Sequence, residues 1–379
     1  MALKGVKVLE FVGLAPAPFC GMILSDFGAT ITRIDKTPQN SLDTLKNGKR
    51  NIALNLKHQE GRNIVRDLCK KSDVLIEPYR PGIMEKLGLG PDILMKDNPR
   101  LIYARLTGFG QSGPLAQRAG HDINYVAMSG VLSFLGRKSE KPTAPINLLA
   151  DFAGGGLLCA FGILAALLAR QNTGRGQIVD TSMVEGAAYV ASFLTRSQTL
   201  PIWGKDRGEN MLDTGAFFYD TYETKDGKFM SVGCLEHQFF ETMVKTLGLE
   251  GKLTQFDDNE KGRKILEETF RGRTQKEWSE MFEKTDSCVF PVLHWTEAPD
   301  HAHNKVRGAF VNKNDTEEVI VPNPAPKLSD TPGLSSVLSD SKDEWQNIQE
   351  ILGEIDYDVE KMKLLVENGV VLTTKKGKL

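Results

Sequence analysis

Cysteine is scarce in this chain. The five residues, Cys20, Cys69, Cys159, Cys234 and Cys288, come no closer than the 49 positions between the first two, and none forms a CxxC pair. Such spacing excludes a disulfide framework and a thiolate zinc site, and it points to a reducing or intracellular compartment. Net charge is nearly absent too: 47 Lys and Arg stand against 49 Asp and Glu, a formal balance of −2. No global positive field therefore exists to draw in nucleic acid or an anionic membrane, although a local basic groove stays open. Walker A, HExxH and GxSxG motifs are missing. The first strand-to-helix turn reads Gly13-Leu-Ala-Pro-Ala-Pro18 where a dinucleotide fold has GxGxxG. Pro16 and Pro18 remove backbone donors where a pyrophosphate needs them, so a nicotinamide or flavin cofactor is not expected despite Asp35 after the second strand.

The N-terminus runs from Met1 to Lys7 straight into an apolar strand pattern, with no room for a secretory leader. One long uncharged stretch, Phe152 to Ala169, reaches the lower edge of membrane-spanning length. Asp151 before it, Gly154 to Gly156 in its first turns and Gln171-Asn-Thr-Gly174 after it predict a capped, buried core helix, and no membrane partner. His294, His301 and His303, with Asp300, lack a companion cluster and predict a solvated turn, so no metal is expected.

What the 379 residues do contain suits an ordinary globular protein: 40% hydrophobic residues, with 36 glycines besides, enough for a sizeable core and two or three domains. Strands are predicted at 6–11, 30–34, 74–77 and 101–106, with helices at 19–27 and 60–71, which is a βαβ series and hence a parallel sheet covered by helices. From Gly120 to Phe193 the pattern is helical with one strand, Gln177 to Thr181. A second, α+β unit starts near Thr214, with a hairpin of 217–223 and 228–232 around Asp226-Gly227 and helices at 237–247, 261–270 and 274–284. Pro322, Pro324, Pro326 and Pro332 mark a linker-like segment, and 344–368 a polar helical tail.

Three places could carry chemistry. Asp151 sits where an apolar run meets a glycine-rich helix start; it is either a helix N-cap or a base beside backbone N–H groups able to hold an oxyanion. His121-Asp122, inside Gly120-His-Asp-Ile-Asn-Tyr125, is either a surface pair or an acid/base group. Glu236, in Cys234-Leu-Glu236, is a cap carboxylate or a further site group. Arg33, Lys36 and Arg80 collect at the carboxyl edge of the sheet, where a polyphosphorylated ligand would fit. Met183, Met211, Phe217 and Phe218 offer apolar surface for an acyl group, core packing being their commoner use.

The runs Arg33-Ile-Asp35, Tyr79-Arg-Pro-Gly82, Glu85-Lys-Leu-Gly-Leu-Gly-Pro91, Leu101-Ile-Tyr-Ala-Arg105, Thr107-Gly-Phe-Gly-Gln-Ser-Gly-Pro114 and Gly174-Arg-Gly-Gln-Ile-Val-Asp180 resemble the type III CoA-transferase superfamily. Within it, the chain is similar to the α-methylacyl-CoA racemase branch at residues 120–125, at Asn147-Leu-Leu-Ala-Asp151 and at 234–236. The resemblance implies an α/β fold and an interlocked homodimer. A large Rossmann-like CoA-binding domain would take 1–185 and a returning tail, 310–379; a linker, 186–212, would lead to a small α+β domain, 213–309. Glu236 of one subunit would approach His121 and Asp151 of the other.

The CoA moiety would lie over Lys36, Leu54, Asn55, Leu56, Lys57, Tyr79, Arg80, Lys86 and Gly120, Asp122, Ile123, Asn124 and Tyr125. Lys36 and Lys86 replace arginines of some relatives, keeping the charge without the bidentate fork. The implied reaction interconverts (2R)- and (2S)-2-methylacyl-CoA thioesters of branched fatty acids by two-base proton transfer through an enolate. His121 and Asp151 would be the bases, Asp122 and Glu236 would orient His121, and the Asp151 N–H and the glycine turn would hold the enolate oxygen. No cofactor is called for. One alternative is a CoA-transferase with Asp151 as nucleophile, disfavoured by His121, where ordinary transferases usually carry an aromatic; another is an inactive CoA-ester binder, which the intact site group argues against. The family is associated with peroxisomes and mitochondria, and Gly377-Lys-Leu379 leans toward the former.

Overall fold

Short β-branched runs separated by amphipathic segments can bury both faces of a strand only in a sheet covered by helices. The computed structural model describes residues 1–38, 43–312, 320–339 and 342–374, so the Gly377-Lys-Leu379 signal lies outside the described residues. In chain order the strands are β1 (Lys7–Phe11), β2 (Thr30–Asp35), β3 (Arg50–Leu54), β4 (Val74–Glu77), β5 (Ile102–Thr107), β6 (Ile178–Ser182), β7 (Tyr219–Glu223), β8 (Phe229–Gly233), β9 (Val289–Pro291), β10 (Phe310–Asn312), β11 (Ile320–Pro322) and β12 (Val371–Leu372).

A seven-stranded sheet runs in the order β12-β3-β2-β1-β4-β5-β6. All of its pairs are parallel except β12 with β3, where Val371 meets Leu54. The chain builds outward from β1 through β2 and β3, then crosses back to add β4, β5 and β6 on the other side. That reversal leaves a crevice beyond the carboxyl ends of β1 and β4, the place where open α/β sheets take ligands.

Strand β3 was not predicted. Its sequence, Arg50-Asn-Ile-Ala-Leu54, has only three apolar residues after two polar ones, too short a run to stand out, and tertiary pairing supplies the rest. The polar tail is two helices, Glu344–Gly353 and Val359–Glu367, separated by a turn in which Asp356 adopts φ 63°. Ile348, Ile351, Leu352, Met362 and Leu365 join Leu54, Ile64 and Leu75 in one core, and Glu354 binds Lys7 and Arg50 at 2.8 and 2.5 Å.

The chain divides into two units, one of residues 1–129, 145–190 and 308–379, the other of 130–144 and 191–307. Residues 130–144 thus leave the predicted large domain. Arg137 explains it, donating to both oxygens of buried Asp220 on β7 at 3.1 and 2.8 Å. The predicted linker is also structured: 186–190 finish the helix Met183–Val190, and buried Asn210 binds Asp213 and the carbonyls of Lys205 and Asp206. The second unit is α+β, an antiparallel β7-β8-β9 sheet whose core holds Phe217, Phe240, Phe270 and Trp278. Phe217 and Phe218 belong to that core.

The apolar stretch departs from its prediction. Residues Leu148–Leu157 form a π-helix continuous with the α-helix Leu158–Thr173, and although Cys159, Ile163 and Ala166 are buried, Leu157, Phe161, Leu164 and Leu168 are exposed on one face. This combined helix of 26 residues is long and apolar enough to cross a membrane. It packs against β5 and β6, however, and its end is tied down by Arg170, which binds Asp73 at 2.8 Å.

Candidate active site

A cleft of about 790 Å³ opens at the topological reversal. Its walls come from the turns after β1 (Val12 to Leu14), β2 (Asp35 to Thr37), β4 (Pro78 to Arg80) and β5 (Gly108, Phe109), with His121, Tyr125, Asp151 and Met183 closing it. Every one of these residues belongs to the first unit.

Asp151 is not an N-cap. Asn147 precedes the π-helix, and Asp151 lies within its first turn and lines the cleft. Burial pushes the Asp151 carboxyl above its ordinary range, and the nearby Asp122 charge adds to this; the Asn147 amide and His121 work against it. Such a shift brings a carboxylate nearer the pH at which it can both take and return a proton.

Asp122 does something the sequence did not disclose. It is 4% exposed at the start of the helix Asp122–Met128, and its Oδ1 accepts the backbone N–H of Ala150 at 2.8 Å and of Asp151 at 2.7 Å. Its Oδ2 is buried with no hydrogen-bond partner. Asp122 therefore holds the π-helix backbone instead of orienting His121. The Asp151 N–H, expected as an oxyanion donor, is already given to Asp122.

The glycine turn is likewise committed to packing. Gly154 lies back to back with Gly186 and Gly156 against Pro16 and Phe19, both too close for a Cβ, and Gly155 is crowded by the Ala150 carbonyl and faces Met183. Gly186→Ala would drive a methyl into the Gly154 backbone. We expect a loss of about 1–3 kcal/mol or more of stability, read as a fall in melting temperature, since overpacking forces backbone shifts.

His121 is exposed at the cleft mouth, its backbone N–H accepted by Asn124 Oδ1 at 3.0 Å. Tyr125 donates its hydroxyl to the Gly120 carbonyl and sets its ring edge-on to Phe109 at 5.1 Å. Gly120 and Gly108 allow that ring its close approach. The Lys36 ammonium sits 4.9 Å above the Tyr79 ring, and Arg80 reaches the Gln117 carbonyl at 3.3 Å.

Of the residues the resemblance pointed to, Lys36, Tyr79, Arg80, Gly120, His121, Tyr125 and Asp151 line the cleft together. Leu54 is a core residue, while Asn55 to Lys57 follow β3 on the same sheet edge and lie outside the cleft lining, as do Lys86, Ile123 and Asn124. Glu236 is exposed in the second unit at the N-cap of the helix His237–Leu247, where its side chain makes no capping bond.

Arg33 is corrected as a candidate contact. It is 2% exposed and locked to Asp35 and Asp43, with Nη2 2.7 Å from Asp35 Oδ1. Sequence reasoning missed Arg118, an exposed cation on the cleft wall. Its position after the Gly113-Pro114 turn was the available signal. It also missed the buried Glu77, whose carboxyl is pushed up to about 7 by burial, against the Tyr79 amide and Arg105.

A cation-bearing crevice thus opens at the sheet's carboxyl edge, with a raised carboxylate and an imidazole among its walls. Residues 3–337 match CoA-transferase family III, and the chain belongs to that family. Among its relatives, α-methylacyl-CoA racemase of Homo sapiens is 49% identical over 99% of both chains, and that of Mus musculus 47% over the same share. A CAIB/BAIF family protein from Brucella suis shares the fold at a TM-score of 0.78, with 24% identity over 93% of this chain and 99% of that one.

Proposed function

We propose that the chain is an α-methylacyl-CoA racemase, interconverting (2R)- and (2S)-2-methylacyl-CoA thioesters of branched fatty acids. The observation that carries this is that His121 and Asp151, two proton-transfer groups of different kind, line one cleft. Inverting a carbon next to a thioester requires removal of its hydrogen on one face and delivery of a proton on the other. Lys36, Arg80 and Arg118 supply positive charge for the nucleotide end, and Leu14, Phe109 and Met183 an apolar wall. The near-identity in length and 49% identity to a racemase support the same reading. The two-base route calls for no redox cofactor or metal.

The test is deuterium incorporation at carbon 2 from each epimer in deuterium oxide, followed by NMR without any carboxylate acceptor. Label entering from both epimers, with approach to a mixture, is the expected result. Absence of exchange alongside CoA transfer to an added carboxylate would replace it by the transferase reading, with Asp151 as nucleophile.

The exposed Leu157, Phe161, Leu164 and Leu168 support a homodimer, since an apolar stripe of this size on a soluble fold marks an interface. A second copy would also deliver Glu236 toward His121 and Asp151. Phe161→Asp combined with Leu168→Asp is expected to halve the mass seen by sedimentation equilibrium; an unchanged mass would place the interface elsewhere, and cosedimentation of the wild type with lipid vesicles would assign the face to a membrane. A peroxisomal or mitochondrial location fits branched acyl-CoA chemistry, and imaging of the tagged full chain would check it.

A further inference from the structure

Beneath the cleft lies a charged relay that touches none of the groups assigned to proton transfer. Arg105 on β5 is 7% exposed and stands beside Glu77 of β4 in the sheet register. Its Nε donates to Glu77 Oε1 at 2.7 Å, while Nη1 and Nη2 reach the two oxygens of Glu85 at 2.8 and 3.4 Å. Glu85 belongs to the short helix Ile83–Lys86. Glu77 Oε2 in turn accepts the Tyr79 backbone N–H at 2.7 Å.

The segment held in this way is Pro78-Tyr79-Arg80-Pro81-Gly82. Pro78 and Pro81 have no N–H to anchor it, and Gly82 turns it at φ 83°, so the segment is held by the Tyr79 amide at its start and by Gln117, which donates to the Pro81 carbonyl at 2.9 Å, at its end. Tyr79 carries the Lys36 ammonium on its ring, and Arg80 lines the cleft. One end of the relay thus meets the cleft, through Tyr79 and the Lys36 ammonium above it, while the other ends on the short helix Ile83–Lys86 that follows the loop.

We propose that Arg105, through its simultaneous grip on Glu77 and Glu85, is a positioning residue that sets the Tyr79–Arg80 loop for the nucleotide end of the acyl-CoA. This rests on the acyl-CoA reading of the cleft and deepens it. A planar guanidinium can serve two carboxylates at fixed angles; a lysine ammonium keeps the charge and loses that geometry. Loss of the grip lets the loop move while Asp151, held by Asp122 from a different element, stays in place.

The experiment measures binding of free CoA by calorimetry, together with KM and kcat for a 2-methylacyl-CoA, in wild type, Arg105→Lys and Glu85→Gln. Glu85 is 43% exposed on its side chain, so Glu85→Gln keeps the fold if Arg105→Lys does not, and a melting curve accompanies each. Expected is a rise of about tenfold in both CoA Kd and KM, with kcat within about twofold of wild type. CoA binding by wild type with Kd and KM unchanged in the folded variants overturns the relay alone, as does a fall in kcat at constant KM. Failure of wild type to bind CoA overturns the acyl-CoA reading and the relay with it.

Discussion

Asp151→Asn and His121→Ala are each expected to lower the epimerisation rate by about 10²- to 10⁴-fold while leaving CoA binding within a few-fold of wild type, because each removes one acid/base group from the chemical step. The exchange pattern is more diagnostic than the rate. If the two groups flank the substrate, each variant loses deuterium exchange from the epimer whose hydrogen its missing base faced and retains some from the other. The measurement is carbon 2 exchange from each pure epimer in deuterium oxide. Loss of the same epimer's exchange in both variants would place both groups on one face and end the two-base assignment. Trapping of Asp151 as a hydroxamate by hydroxylamine during turnover would make it a nucleophile instead.

Asp122 offers the second large effect, and two substitutions separate its two roles. Asp122→Ala leaves the N–H groups of Ala150 and Asp151 without their acceptor, which we expect to cost about 2–5 kcal/mol in denaturant unfolding and to loosen the turn bearing Asp151. Asp122→Asn keeps an acceptor oxygen and removes the charge. The Asp122 charge raises the Asp151 carboxyl, so its removal lowers that pKa, and ionised Asp151 persists to lower pH. The acid limb of the pH profile that depends on ionised Asp151 accordingly moves to lower pH in Asp122→Asn. A limb that stays in place or moves upward would show that Asp122 does not tune Asp151.

The fold was legible where local pattern and tertiary role agree. The central strands carry short apolar runs such as Val8-Leu9 and Val74-Leu-Ile76 because both their faces are covered, and β1, β2, β4 and β5 were read within a residue or two. Strand β3 was not, since its register is dictated by β2 and by the returning β12 and not by its own composition. His121 and Asp151 were legible as residues out of place in their surroundings, and the resemblance raised both. Their support was hidden: a carboxylate facing two backbone N–H groups 28 and 29 positions away leaves no mark in the spacing of residues. The glycine run looked the same in sequence whether it bared donors or allowed helices to touch, and only packing decided for the second.

The strand β12 closes the sheet by pairing Val371 with Leu54, and this sets the order in which the molecule is finished during synthesis. At about 5–20 residues per second, on the order of tens of seconds separate the two partners' emergence from the ribosome. Through that interval the edge of β3 stands open and the apolar side chains of Ile52 and Leu54 lack the cover of Ile348, Ile351 and Leu352. A nascent chain of this protein thus has the β3 edge open to pairing for most of its translation, and that edge is capped only when the last strand arrives.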